Sequence, residues 1–283
     1  MAVRLLDGEE ARVRAHADAL GVDEPVGGGA LRQHEGACVF LDADARCRLH
    51  AAFGADAKPR VCAQYPVVAV RTETGLRVGV DPGCYTGLRT WRDGPAIAGG
   101  AVHALQDARA PGVAAVELRL AAACAARGQT LGGLVGALVG EDPDGGFPPR
   151  FAARWRARLR EVDVGRLIAE PAAGVSLRAS LAGVAALSAR EDWPSPAPLS
   201  PEAEAWALEV VERMVWLRLC RTLPDPMPVA LLVAAGAWTC AVADARPEAF
   251  GPALAGWTRA LRAPAFRAAL VPDAATMGRL AVG

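Results

Sequence analysis

Apolar residues follow two different spacings along this chain of 283 residues. Between residues 37 and 81 they occur in short runs that flank turn residues, whereas after residue 95 they recur at every third or fourth position. Short runs between turn signals are typical of strands in hairpins, and the longer spacing is typical of amphipathic helices. We therefore predict an α+β fold that is mostly α, with a small β-hairpin module at residues 1–94 and an α-helical domain at residues 95–283.

The first predicted hairpin brackets a turn that is rich in aspartate. Residues 38–41 and 46–49 form its strands, and Asp42-Ala-Asp-Ala forms its turn. Residues 50–56 are then predicted to make one helical turn, which Pro59 stops because its ring cannot continue a helix.

The second predicted hairpin joins residues 67–72 and 76–80 through Glu73-Thr-Gly, in which the glycine suits a positive φ. The helical spacing begins after it. The helices predicted from that spacing and from end signals cover residues 8–20, 111–127, 131–140, 149–162, 176–190, 201–222, 229–243 and 247–262.

Composition and charge exclude some classes of partner. The 31 basic and 31 acidic residues balance, so the chain has no broad field that would attract nucleic acid or an anionic membrane. Lys58 is the only lysine beside many arginines, and alanine is abundant, which indicates a GC-rich bacterial genome rather than a functional arginine bias.

We expect a cytoplasmic protein with no membrane partner. The first 14 residues carry charges throughout and contain no apolar core of a signal sequence. Residues 226–243 are uncharged, but they include two prolines and a glycine, and their length is borderline for a membrane span. We predict that they form a buried core helix. In a reducing compartment, cysteines serve as ligands or packing groups rather than as disulfides.

Four of the seven cysteines fall within one stretch of the chain. Cys38, Cys47, Cys62 and Cys84 are separated by 8, 14 and 21 residues. The two hairpins would each present two of these thiols from their open ends, and four thiolates suit Zn²⁺ or a [4Fe–4S] cluster. We therefore predict a cysteine-cluster metal-binding module with these four ligands.

Several alternatives to this ligand set stay open. The four thiols could be unrelated buried cysteines, since no pair has the C-x2-C spacing of a strong zinc motif. His50 could replace Cys84 as the fourth ligand. Lys58 and Arg60 are expected to lower the pKa of nearby thiols. The remaining cysteines lie on apolar helical faces and are predicted to be inert core residues: Cys124, Cys220 and Cys240.

Three segments in this stretch resemble a known family. Gly36-Ala-Cys-Val-Phe-Leu-Asp, Ala45-Arg-Cys-Arg-Leu-His and Lys58-Pro-Arg-Val-Cys-Ala-Gln-Tyr-Pro are similar, in this order, to the YkgJ-like cysteine-cluster family of zinc- or iron-chelating proteins. Gly83-Cys-Tyr matches a further cysteine of the flagellin lysine N-methylases, which belong to that family. The resemblance covers about residues 31–90.

The family pattern usually opens with a C-x2-C-C stretch, but this chain has no cysteine before Cys38. Residues 3–9 resemble the segment that comes directly after this opening in members of the family. Either the start codon is placed too far downstream, or this branch has lost those ligands. We expect the former, with a cellular protein that is longer and carries further cysteines.

Two functions are consistent with these observations. The first is a metal-binding protein in which zinc or an iron–sulfur cluster cross-links the two hairpins of the module and stabilises its fold. The resemblance also implies an alternative, methyl transfer from S-adenosylmethionine to a protein lysine, which would need a protein substrate or partner, an acidic or aromatic groove and a methyl-donor pocket. The sequence identifies neither groove nor pocket, and no catalytic nucleophile–base–acid set can be assembled.

The acidic residues of the helix at 201–222 are predicted to form a solvated face: Glu202, Glu204, Glu209 and Glu212.

Overall fold

The computed structural model describes residues 3–34, 37–44, 46–90, 94, 97, 102–143, 146–169, 175–190, 193, 199–220, 223, 225–244 and 246–281. It is 59% helical with 11% strand in small sheets, which confirms the predicted α+β, mostly α class. The strands in the described part are β1 (Val26–Gly27), β2 (Ala30–Leu31), β3 (Gln33–His34), β4 (Ala37–Cys38), β5 (Val67–Thr72), β6 (Gly75–Val80) and β7 (Leu105–Asp107).

Each predicted helix has a counterpart in the described part of the chain, which also contains five helices that were not predicted, at residues 60–64, 85–90, 164–169, 264–270 and 274–281. In chain order, the helices of the described part are α1 (Glu9–Leu20), α2 (Arg48–Phe53), α3 (Arg60–Gln64), α4 (Tyr85–Thr90), α5 (Ala114–Ala125), α6 (Leu131–Val139), α7 (Pro149–Glu161), α8 (Val164–Ala169), α9 (Val175–Ser188), α10 (Pro201–Trp216), α11 (Pro226–Ala243), α12 (Pro247–Arg262), α13 (Pro264–Leu270) and α14 (Ala274–Ala281). Helix α10 ends before its predicted limit because the chain turns at Arg218, where φ is 48°.

The second hairpin forms as predicted. Strands β5 and β6 pair antiparallel from Val67 opposite Val80 to Thr72 opposite Gly75. Gly75 has a φ of 124°, a conformation that side chains disfavour. Strand β7 adds to the other edge of β5 in parallel.

The first hairpin is only partly as predicted. Residues 41 and 47 form an isolated antiparallel bridge around the aspartate turn, but strand β4 pairs with β3 on its other side. The prediction of a strand over residues 46–49 is wrong, because Arg48 already begins helix α2. The predicted helical turn therefore starts two residues earlier than expected.

The described residues form two hydrophobic cores. A small first core contains six fully buried side chains: Val13, Ala17, Val26, Leu31, Phe40 and Leu49. A large second core extends from Val68 to Leu280 and includes β5 and most of the helices. The packing therefore groups the second hairpin with the helical half. Most residues around position 95 lie outside the described ranges, so the predicted division there stays a prediction.

Helix α11 is the centre of the second core. Its length and mean hydropathy of 1.7 would suit a membrane span, but 83% of it is buried inside the protein, as predicted for a core helix. Gly236 allows α12 to approach closely, because a Cβ atom there would lie 1.8 Å from Nε1 of Trp257. Thr239 accepts a hydrogen bond from Nε1 of Trp155 at 2.9 Å, so this buried indole is satisfied.

Candidate metal centre

Three of the four predicted ligands lie on the first core. Cys38 ends strand β4, Cys47 is the residue before helix α2, and Cys62 lies within helix α3. Each of these thiols is half-buried and packs against the six side chains of the first core. Three separate segments therefore bring three thiols to one small region.

Short-range packing holds Cys38 and Cys47 across a loop. Phe40 and Leu49, each two residues after one of these cysteines, are almost fully buried in the first core. The N–H of Arg48 donates to the carbonyl of Phe40 at 2.8 Å. Within the loop, Oδ1 of Asp42 accepts from two backbone N–H groups, at 2.9 and 2.8 Å, in an Asx turn. These hydrogen bonds fix the loop between Cys38 and Cys47 and so hold the two cysteines near each other.

Cys62 is positioned by a carboxylate from another helix. Oε1 of Glu9, in the first turn of α1, accepts the backbone N–H of Arg60 at 2.8 Å and so caps α3. Glu9 is 2% exposed, and its second oxygen accepts from the N–H of Leu6 at 2.8 Å. The sequence shows Glu9 only as an acidic residue in the first turn of its own helix. No local pattern indicates that it reaches α3, 51 residues further along the chain.

The electrostatics of Cys62 show how near the three thiols are. Burial, with smaller contributions from Cys38 and Cys47, raises its pKa to about 11. Lys58 lowers the pKa, as expected from the sequence, but burial and the neighbouring thiols outweigh it. Burial likewise raises the pKa of Cys38, with Cys47 acting in the same direction.

Cys84 has different neighbours. Its Sγ accepts the N–H of Gly87 at 3.4 Å at the start of helix α4, and it is not among the residues that pack on the first core. Burial raises the pKa of Tyr65, and the charges of Asp81 and Cys84 add to this. The structure thus places Cys84 beside Tyr65 and Asp81. His50 is exposed on α2.

The three cysteines have the right chemistry for a thiophilic metal, but their side chains are not yet close enough to bind one. Cysteine sulfurs are ligands that Zn²⁺ and iron–sulfur clusters prefer. Within the described ranges, however, no group of three thiol, imidazole or carboxylate side chains is arranged closely enough to hold a metal ion. Metal binding would therefore have to draw the sulfur atoms of Cys38, Cys47 and Cys62 closer together.

The other three cysteines are buried in the second core, as predicted. Burial raises the pKa values of Cys124, Cys220 and Cys240 to about 12, 11 and 12. Cys220 and Cys240 are surrounded by core residues. Cys124 also lines a cavity, and the charge of Glu212 is the second cause of its raised pKa, after burial.

This cavity, of about 830 Å³, lies between α5, α6, α10 and α11. Its apolar wall includes Leu131, Leu208 and the stacked rings of Phe147 and Trp238, whose centroids are 4.7 Å apart. Pockets of 300–1,000 Å³ with mainly apolar walls and few polar groups are typical of small-molecule sites. The sequence did not indicate this cavity.

The predicted solvated face of α10 is wrong for three of its four glutamates. Glu202 is exposed, but Glu204, Glu209 and Glu212 are half-buried and line the cavity. Oε2 of Glu204 accepts the N–H of Leu131 at 2.8 Å, and burial raises the pKa of this carboxyl. An acidic stripe at helical spacing looks the same in sequence whether it faces solvent or a cavity, because the difference lies in helices α5, α6 and α11.

Comparisons with protein-family models, with curated proteins and with solved structures gave no match. The resemblance to the cysteine-cluster family, and the lysine methylation that it implies, therefore rest on the segments quoted from the sequence and stay predictions.

Proposed function

We propose that this protein binds Zn²⁺ or a [4Fe–4S] cluster through Cys38, Cys47 and Cys62, in a reducing cytoplasm. The observation that carries the proposal is the placement of these three thiols, from three separate segments, on one six-residue core. Thiols that merely fill space have no reason to gather in this way: of the other four cysteines, Cys84 lies outside the first core and three are spread through the second core.

The metal would act first as a cross-link. The first core is small, and the segments that carry the three cysteines are short: β4 has two residues, α2 six and α3 five. Structural zinc sites contribute about 10–16 kcal/mol of apparent binding free energy, which is enough to order such segments. Three protein ligands leave one coordination position for a fourth group, for which Cys84 is the predicted ligand.

Anaerobic purification, followed by metal analysis and an absorption spectrum, tests this proposal. Stoichiometric zinc without visible absorption would identify a zinc site, and a broad band near 400 nm with iron and sulfide would identify a cluster. Cys38→Ser, Cys47→Ser and Cys62→Ser should each lose the metal. Cys220→Ser is the matched control, because this thiol is buried in the second core, and it should keep full occupancy.

Two further variants identify the residue that supplies the fourth ligand to the metal. Cys84→Ser should lower the metal content if the loop after β6 moves to the site, whereas His50→Ala should do so if the imidazole supplies the fourth ligand. Metal that is retained in all three variants at Cys38, Cys47 and Cys62, or that is absent from the native protein, would disprove the proposal.

A further inference from the structure

The cavity between α5, α6, α10 and α11 has acidic groups on one side only. The residues of α10 that face it recur every three or four positions, so they form one stripe along the helix: Pro201, Glu204, Ala205, Leu208, Glu209 and Glu212. The other helices contribute thiol, amide, hydroxyl and apolar groups. No lysine, arginine or histidine is among the described residues that line the cavity.

The three carboxyl groups are compensated to different degrees. Glu204 has the N–H of Leu131 as its donor, and Glu209 lies 3.7 Å from a guanidinium nitrogen of Arg213. Glu212 has neither a hydrogen bond nor an ion pair with any described residue. Half-buried carboxylates are costly unless a positive charge or several donors offset them. A cation inside the cavity would supply the charge that the walls lack.

The remaining walls select for more than charge. Phe147 and Trp238 stack face to face with an angle of 5° between their rings, so together they form one rigid apolar part of the wall. Leu131 and Leu208 extend that part. A hydrated metal ion would gain nothing from such walls, whereas a hydrocarbon or aromatic group would bury its surface against them.

We infer that this cavity binds an organic cation, an amine that carries an apolar or aromatic body. The ammonium group lies against the carboxylate of Glu212, the lining carboxylate that has no described partner, and the apolar body packs on Phe147 and Trp238. Every lining residue lies between positions 124 and 241, so this site is separate from the three cysteines of the first core.

Isothermal titration of the whole protein with three matched probes tests the inference. The probes are 4-phenylbutylamine, 4-phenylbutanol and 4-phenylbutyrate, which share one apolar body and differ in the charge of the end group. The amine should bind. The alcohol should bind about tenfold more weakly, the factor that corresponds to one ion pair of about 1.4 kcal/mol. The carboxylate should give no heat.

Variants then place the ligand. Glu212→Gln should weaken binding of the amine and leave binding of the alcohol unchanged, while Glu202→Gln on the exposed face of α10 should alter neither. Ala205→Phe, which fills the cavity, should remove binding of both. Circular dichroism and a thermal melt check that each variant is folded.

Four results would overturn the inference. They are an alcohol that binds as tightly as the amine, an amine that gives no heat at millimolar concentration, a Glu212→Gln variant that binds the amine like the wild type, and loss of amine binding when MgCl₂ is added at constant ionic strength. The last result would assign the carboxylates to a metal ion instead.

Discussion

Arg262, near the end of α12, donates to the buried carboxylate of Asp81, with 2.5 Å between Nη1 and Oδ2. Asp81 directly follows strand β6 and is 3% exposed, and it also accepts the N–H of Gly83 at 2.7 Å. Arg259, one turn earlier, donates to the carbonyl of Gly83 at 2.8 Å. The two arginines thus attach the loop that carries Cys84 to the helical core.

Removing the guanidinium should therefore destabilise the fold. Arg262→Met leaves Asp81 as an uncompensated buried charge, which costs about 3 kcal/mol when a buried pair loses one partner. Urea denaturation, followed by circular dichroism, measures the change. Arg246→Met is the matched control, because Arg246 and its partner Asp244 lie at the surface, in the loop between α11 and α12. The denaturation midpoint of this variant should equal that of the wild type.

The ion pair between Arg218 and Glu73 should make stability depend on pH. The hydrogen bonds from Arg218 hold the pKa of Glu73 at about 2, below its ordinary value of 4.5. A carboxyl with a lowered pKa stabilises the fold above its ordinary pKa, and this contribution is lost as the pH falls through the folded value. Glu73→Gln should thus be less stable than the wild type at pH 7.

The difference between these two proteins should shrink between about pH 4.5 and pH 2, which denaturation curves at a series of pH values would show. Glu161→Gln is the control, because the side chain of Glu161 is 66% exposed and its loss should have little effect at any pH. A difference that stays constant down to pH 2 would show that the carboxylate charge is not the cause.

Replacing Glu204 with glutamine should not destabilise the protein. Burial raises the pKa of this carboxyl, so its ionised form is disfavoured in the fold and costs stability as the pH rises through the folded pKa. The amide oxygen of glutamine can still accept the N–H of Leu131. We expect a melting temperature at pH 8 that equals or exceeds that of the wild type, with the gain fading in acid. A clear loss of stability at pH 8 would mean that the charge itself is needed for folding.

Glu9→Ala should loosen helix α3, because Glu9 caps it from α1. The loss of a buried cap and its paired N–H groups costs about 2 kcal/mol. In the metal-free protein, alkylation of Cys62 should become faster, which mass spectrometry of the modified peptide measures. Glu10→Ala is a close control, since its carboxylate pairs only with exposed Arg14 on the same helix. Equal alkylation rates in the two variants would show that Glu9 does not hold α3.

Local signals predicted much of this fold. The second hairpin was evident because two short apolar runs and a Gly75 turn are properties of neighbouring residues. The longer helices followed from apolar spacing, but the short helices α3, α4, α8, α13 and α14 were not predicted. The end of α10 was not predictable in this way. Arg218 leaves the helix and bonds to Glu73 and Glu117, which precede it by 145 and 101 residues. Such partners are invisible to a window of 10 or 20 residues.

The candidate site shows the same division. Spacing indicated the four cysteines, and three of them do gather on one core. The capping of α3 by Glu9 and the cavity behind Glu204, Glu209 and Glu212 depend on contacts between segments far apart in the chain. Residues 46–49 were assigned the wrong structure because burial of Leu49 can be achieved from either a strand or a helix, and tertiary packing decided between them.

The small first core has a consequence for how the molecule opens. Six buried side chains contribute far less to cooperative unfolding than the many of the second core, so the described residues between 3 and 64 should exchange their amide hydrogens through partial opening while the helices of the second core stay closed. If the proposed metal is bound, a chelator that removes it should speed this exchange without melting α11 or α12. The N-terminal segment would then fold or open according to the available metal, while the second core stays folded.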